Sequence, residues 1–537
     1  MSRDKIIQFR KNFEPKQSLS KGYALYNEGK CLYNQNKDDL AFQKFLEAEK
    51  LGFESDDMYA CMAWLVGRDT QKTDLVFKYI DKSIELDNEN SYAHYLKGYT
   101  LEDLGLYDEA LPSLLKAEEL NYDSPYLYTK ISYCYEQIGE QLKAIAYASK
   151  AIKKYPDEVD CYKRKAWAYF TPNTTEEALK YFLEAEKLGD TSNFYQISYC
   201  YSELGNHKKA LVYANKTIIA DSNNFYGYYR KGFIYYMTEK YDKALENFLK
   251  AESLITTEAA QVYDMYPRIS WIYQVVKNDI EKAKKYGQLA IDIMPEYDFA
   301  QYRMGCIYSY SEKDFKTATK YFKKAYALGM GETDSNIYYD IGRNYLAMKK
   351  YSLALKYVEE GQKLYPQSLD LISIKIGVLY RQRKYAEVRA LMKEVLEKYP
   401  DDIWVQQGNA MILSKFKQYD EAIKYLEPIR KDLPEVNVYA LAVLAGCYFE
   451  KKEYEKSLET FLEYSQKEDL RDLEKQDIRK IKSFIKMLYK HFPNDDRLKQ
   501  IEENFKPVIF TIINKKWTLL FLYRNYKYNI FIYSELE

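Results

Sequence analysis

FYGYYRKGFIYYMTEKYDKALENFLKAESL, residues 225–254 of the 537-residue chain, carries two stripes separated by a short polar break. Tyr228, Lys231-Gly232 and Tyr235 make the first, and Tyr241, Ala244, Phe248 and Ala251 the second. Steps of three and four keep each stripe on one helical face. Thr238-Glu239-Lys240 between them reads as a tight turn. The stretch therefore predicts a helix A, a turn and a helix B. Gly232 and Ala244 are small where the two helices must approach, and a larger side chain there would push the backbones apart.

The pattern recurs outward in both directions. Tyr-x-x-Ala appears at Tyr107/Ala110, Tyr241/Ala244, Tyr351/Ala354 and Tyr419/Ala422, with variants at Phe315/Ala318, Tyr385/Val388 and Tyr454/Ser457. The second member of the pair, followed along the chain, gives thirteen anchors: Ala41, Val76, Ala110, Ala144, Ala178, Ala210, Ala244, Ala283, Ala318, Ala354, Val388, Ala422 and Ser457. Successive gaps are 35, 34, 34, 34, 32, 34, 39, 35, 36, 34, 34 and 35 residues, which defines units one to thirteen. The 39-residue gap places extra residues around Thr256–Val262 and predicts a longer inter-repeat loop there.

In the unit from Ser335, the order Tyr338, Ile341-Gly342, Tyr345, Ala354, Val358 and Pro366 resembles the tetratricopeptide consensus. The match covers residues 22–470, and thirteen repeats in phase make it specific. The resemblance implies an all-α fold: an α-solenoid, wound as a right-handed superhelix of about thirteen helix–turn–helix repeats. Residues 1–21 form an N-terminal lead-in and 471–505 C-terminal capping helices. Over 22–368 the building block is a pair of repeats of about 68 residues. Odd units carry B helices such as FLEAEKLG (45–52 and 182–189), and even units carry A helices such as ISYCY (131–135 and 197–201). Odd B helices end at Gly52, Asn121, Gly189 or Gly329, which take a left-handed C-cap cheaply, whereas even ones stop before Pro156, Pro295 or Pro366. The alternation resembles that of multi-repeat arrays from AT-rich bacterial genomes. Residues 506–537 change character: VIFTIIN, WTLLFLY and YKYNIFIY read as short strands or a poorly ordered apolar and aromatic tail.

Composition narrows the function. Lys plus Arg equals Asp plus Glu, 80 against 80, so no basic excess points to nucleic acid. No run of eighteen apolar residues predicts a transmembrane helix, and the N-terminus lacks a secretory h-region, so a cytoplasmic location is expected. The seven cysteines are scattered and never in a CxxC pair. Cys31, Cys134, Cys200, Cys306 and Cys447 share one small-residue position of helix A and are expected to be buried thiols. His94, His207 and His491 have no spacing suited to a metal or a nucleophile–base pair, and His94 falls at a helix-packing slot. Acidic runs such as Glu118-Glu119 and Glu176-Glu177 read as solvated faces of B helices. Without a phosphate loop or dinucleotide fingerprint, no cofactor and no enzymatic activity are expected.

The resemblance also implies where a ligand would lie. In this family, helix-A side chains lining the concave groove hold ligands, and Tyr26, Tyr95, Tyr99, Tyr133, Tyr195, Tyr199, Tyr229, Phe233, Tyr302 and Tyr339 map to those positions. Lys163, Arg164, Arg230, Arg268, Arg303 and Arg343 join them. Arginine beside tyrosine offers carboxylate recognition next to flat apolar area. The competing reading is that these tyrosines only pack between A helices. The set needed to clamp a chaperone's C-terminal EEVD tail is missing from any three consecutive units. The expected function is a non-enzymatic scaffold or adaptor that binds a protein or peptide segment, acidic in character. The alternatives are a peptide-sensing regulator and a membrane-surface assembly factor anchored through the tail.

Overall fold

The computed structural model describes residues 3–67, 72–255, 264–432, 438–466 and 475–514. Among these residues there is no strand, and the helices fall at the thirteen expected units, with six complete A–B pairs in each of the two bodies described below. By its packing the chain divides into two bodies, Met1–Glu239 and Lys240–Glu537, described separately below. The expected insertion at Thr256–Val262 lies outside the described residues.

In the first body, helix A of unit one runs unbroken from Arg3 to Asn34, so the lead-in is helical and continuous with the first repeat. Units two to six follow as further A–B pairs, and Phe225–Met237 is the last A helix of this body. Close approach within a pair depends on a small residue twelve before the anchor in every unit of this body but the second, which has Trp64 there. A Cβ on Gly98 would stand 2.5 Å from Leu114 and 3.0 Å from the Ala110 carbonyl, so only hydrogen fits. Where serine replaces glycine, its hydroxyl is used: Ser132 Oγ donates to Ala144 O and Ser198 Oγ to Ala210 O, both at 2.8 Å. Most turns hold a left-handed residue five before the anchor, the turn of unit five at Asn173 being the exception among the described residues. Asn36, Gly105, Gly139, Gly205 and Glu239 hold φ between 55° and 81° there.

Tyrosine joins the units. Glu118, from one odd B helix, accepts hydrogen bonds from Tyr147 Oη (3.1 Å) and from Lys150 on the next B helix. Glu186 likewise accepts from Tyr213 Oη (2.6 Å) and Lys216 (2.5 Å). Glu118 is thus not on a solvated face, in contrast to expectation; Glu119, Glu176 and Glu177 are exposed. These contacts give the two-repeat alternation a cause, since the odd unit supplies the carboxylate and the even unit the tyrosine and lysine. The same tyrosines stack inside their own units, Tyr135 on Tyr147 at 5.5 Å and Tyr201 on Tyr213 at 5.6 Å between ring centroids.

The second body adds a local novelty. Helices Met265–Trp271 and Asp298–Cys306 each run into a π turn, Ile272–Val276 and Ile307–Ser311. In both units the small residue lies thirteen rather than twelve before the anchor: Ser270 before Ala283, and Gly305 before Ala318. One extra residue in a continuous helix is accommodated by one turn of i→i+5 bonding. Ser270 Oγ still reaches Ala283 O at 2.7 Å, so the pair keeps its contact. One of the five extra residues in the 39-residue gap is accordingly inside helix A rather than between repeats. The left-handed turn residues here are Asn278, Lys313, Lys349, Arg383, Lys417 and Lys452, with no glycine among them.

The odd B helices end as expected, with Gly52, Asn121, Gly189 and Gly329 all at positive φ. Cys31 is exposed, against expectation, while the other six cysteines are buried. Helices Lys475–Tyr489 and Asp496–Asn514 bury Ile481, Ile485, Leu488, Leu498, Ile501 and Phe505 in one core with Leu458, Phe461 and Tyr464. Val508–Asn514, read above as a strand, instead continues the last helix. In sequence, Leu498, Ile501 and Phe505 extend at helical spacing to Val508 and Ile512, which outweighs the local β-branched composition. The rest of the tail, 515–537, lies outside the described residues. No helix among those described is long and apolar enough to cross a membrane.

Candidate functional site

One register of helix A concentrates cations. The residue fourteen before the anchor is Lys130, Arg164, Gln196 and Arg230 in units four to seven. In units eight and nine, corrected for the π-turn residue, it is Arg268 and Arg303. In the first body each of these cations lies over an aromatic ring of the preceding A helix. Lys130 Nζ stands 4.2 Å from the centroid of Tyr99, Arg164 Cζ 5.4 Å from Tyr133, and Arg230 Cζ 5.0 Å from Tyr199. Attraction between a cation and the ring face strengthens when both are partly desolvated.

The first two rungs are closed by carboxylates. Lys130 is ion-paired with Glu102 and Arg164 with Glu136, each acid three residues after its tyrosine. Burial raises the Glu102 carboxyl above its ordinary range despite the lysine beside it. Burial likewise lowers the Arg164 guanidinium to about 10. At the next such rung the residue three after Tyr199 is Ser202, not an acid. Arg230 is only 2 % exposed and also lies 5.0 Å from the Phe233 ring, yet its Nε and Nη2 have no hydrogen-bond partner among the described residues.

The other expected residues of this body sit beside the ladder. Tyr95 is buried and stacks on Tyr122 at 4.6 Å, and Tyr195 meets Tyr226 at 4.8 Å. Tyr229 is buried near Phe233, at 6.4 Å between centroids. Lys163 is paired with Asp160 at 3.2 Å and reaches Asp190 at 4.0 Å, apart from the rings. Tyr26 donates to Asp57 at 2.5 Å. Lys130, Glu102, Glu136 and Ser202 were not among the expected residues, although counting back from each anchor would have found the lysine.

In the second body the same positions are turned inward. Arg303 is 1 % exposed and donates to Gln274 Oε1, and Gln274 Nε2 donates to Ser311 Oγ at 2.9 Å. Asp340, fully buried, accepts from Tyr302 Oη at 2.8 Å and from Tyr310 Oη. Arg343 lies 3.9 Å over the Tyr310 ring, donates to Ser309 Oγ, and has Nε 3.7 Å from Asp340. Ser309 Oγ in turn donates to Asn344 Oδ1 at 2.7 Å. Gln274, Ser309, Tyr310 and Ser311 all lie on the two π turns, so the extra helical residues aim polar groups at Arg303, Asp340 and Arg343. Burial pushes the Tyr310 phenol well above its ordinary value, so it remains a donor. Arg268 is held by its own helix, donating to Asp264 O at 2.5 Å and Oδ2 at 3.0 Å. Tyr339 is half-buried beside Asp340 in the chain. Among the described residues no cluster of three His, Cys, Asp or Glu could hold a metal ion.

Family models described as tetratricopeptide repeat match residues 91–124, 126–158, 335–368 and 379–442. A TPR repeat-containing protein of Methanocaldococcus jannaschii is 24% identical over 428 residues, 76% of this chain and 69% of that protein. Mitochondrial import receptor subunit TOM70 of Saccharomyces cerevisiae is 23% identical over 382 residues, 59% of this chain and 60% of the receptor, so the chain spans about three fifths of that relative. Among solved structures, the Cut9–Hcn1 hetero-tetramer of the APC/C has a chain 13% identical, aligned over 92% of this chain and 99% of its own, with a TM-score of 0.43. Helix pairs at a period near 34 residues, mostly small residues at their close approach, and four matched segments lead to one assignment: this chain is an all-α solenoid that carries tetratricopeptide repeats.

Proposed function

We propose that the chain is a non-enzymatic scaffold or adaptor whose helix-A face holds a protein or peptide segment of acidic character. One observation carries this reading: cations recur at a single register of helix A and sit over aromatic rings in the first body. A surface of that kind suits a segment that combines carboxylates with flat apolar side chains. Tyr195, Tyr199 and Tyr133, half-buried on these helices, supply the apolar part, with Lys163 and Arg164 close by in the chain. Tyr95, Tyr99, Tyr229, Arg230, Arg268, Tyr302, Arg303 and Arg343 belong to the proposed surface either as contacts or, where buried, as its support. An import receptor subunit among the relatives is in keeping with a chain that presents repeats to another polypeptide. Residues 22–470 are proposed as the working array and the two last helices as its cap, closing the apolar end of the stack.

Photocrosslinking of the full chain in its native cell tests the proposal. A benzophenone side chain at Tyr195 is expected to capture a discrete polypeptide. The same group at Leu142, 83 % exposed on a B helix, is expected to capture none. Capture of that polypeptide from Leu142 and not from Tyr195 would reject the helix-A face.

A further inference from the structure

We infer that Arg230 is the base of a built slot for a single carboxylate, supplied by the bound segment as an acidic side chain or a chain terminus. The inference deepens the proposed function and rests on it. Its argument is the ladder itself. Two rungs earlier and three rungs earlier, a cation covers a tyrosine and is neutralised by the acid three residues after that tyrosine: Tyr133, Glu136 and Arg164, and Tyr99, Glu102 and Lys130. Arg230 repeats the geometry over Tyr199, at 5.0 Å against 5.4 Å for Arg164, but the matching position is Ser202.

A guanidinium that is 2 % exposed costs a great deal to bury without an anion, and here Nε and Nη2 have no acceptor among the described residues. Glu203, next to Ser202 in the chain, is exposed and forms no ion pair with Arg230 among the described residues. The flat Nε–Nη2 edge is the part of arginine that receives a carboxylate in two parallel hydrogen bonds. Ser202 stands at the position that glutamate holds in the other two rungs. The slot is therefore a ladder position whose acid has to come from outside.

The test uses the full chain and a fluorescein-labelled peptide of alternating tyrosine and alanine in three forms. One has a free α-carboxylate and no acidic side chain, one has glutamates and an amidated terminus, and one has glutamines and an amidated terminus. Fluorescence anisotropy is expected to show at least one carboxylate form bound roughly tenfold or more tighter than the glutamine form, and the preferred form identifies the source of the carboxylate. Arg230→Gln should erase that preference. Ser202→Glu, which supplies the internal acid, should abolish it and raise the melting temperature, whereas Ser202→Gln should do neither. Equal binding of all three peptides, no binding of any, or a preference that survives Ser202→Glu in a folded chain overturns the slot. None of these results bears on the Tyr195 crosslink, which decides the scaffold reading separately.

Discussion

Units four, five and seven and units eight and nine place arginine or lysine at the same helical register and surround it differently. In the first region each cation lies over a ring, and Lys130 and Arg164 also meet a glutamate of the preceding unit, with Lys130 22 % and Glu136 24 % exposed at the side chain. In the second, π turns bring Gln274, Ser309 and Tyr310 inward and close the cations into a buried polar network around Asp340. The two regions also make their turns differently, with glycine at 105, 139 and 205 but lysine or arginine at 313, 349, 383, 417 and 452. A repeat register therefore determines where a charge stands and leaves its role to the residues around it. The two helices with an inserted residue supply the polar groups, Gln274 and Ser309, that meet Arg303 and Arg343.

The sharpest break of this contrast is Asp340→Ala. It strands two phenols and Arg343 in the interior and should cost about 3–5 kcal/mol. Urea denaturation of the parent and the variant measures it, and the loss should hardly change with salt. An effect below about 1 kcal/mol would mean that the network is not closed on Asp340. Glu136→Gln comes next, at about 1–2 kcal/mol, because Arg164 loses its charged partner but keeps an acceptor. This loss should shrink as ionic strength rises, since the pair is reached by solvent.

A smaller effect distinguishes the second region by pH. Asp370 is raised from the ordinary 3.8 to about 6, first by burial and then by the charge of Asp340. A carboxyl that holds its proton more tightly when folded lends its full stability below about pH 3.8, and that stability is lost as pH rises through about 6. Asp370→Asn should melt above the parent at pH 7 and with it at pH 3.5; a uniform shift at both would show that packing and not titration is at work. The smallest change concerns the turns. Lys349, at φ 60°, should accept glycine with a gain of up to about 1 kcal/mol, while Gly205→Ala, at φ 74°, should lose about as much. Melting temperatures of the two variants check the opposite signs.

The fold was legible because a solenoid writes the same helix pair thirteen times, and small residues twelve before most anchors mark its close approach. The π turns were legible only as a step from twelve to thirteen residues, which the 39-residue gap at Ala283 hid by combining it with a separate insertion. The cations of the site could be read from the register. Their partners could not, because Glu102 and Glu136 belong to the preceding unit, and nothing local distinguishes them from Glu119, which is exposed. The inward turn of Arg303 and Arg343 was likewise hidden, since it depends on residues 29 and 34 positions away.

Hydrogen–deuterium exchange of the full chain, alone and bound to the polypeptide captured from Tyr195, tests the central claim most directly. If the ladder face holds the segment, protection will appear in the A helices Pro125–Gln137, Val159–Ala168, Phe194–Glu203 and Phe225–Met237, and their B partners will be unchanged. Protection confined to B helices, or to Lys475–Tyr489 and Asp496–Asn514, would contradict it.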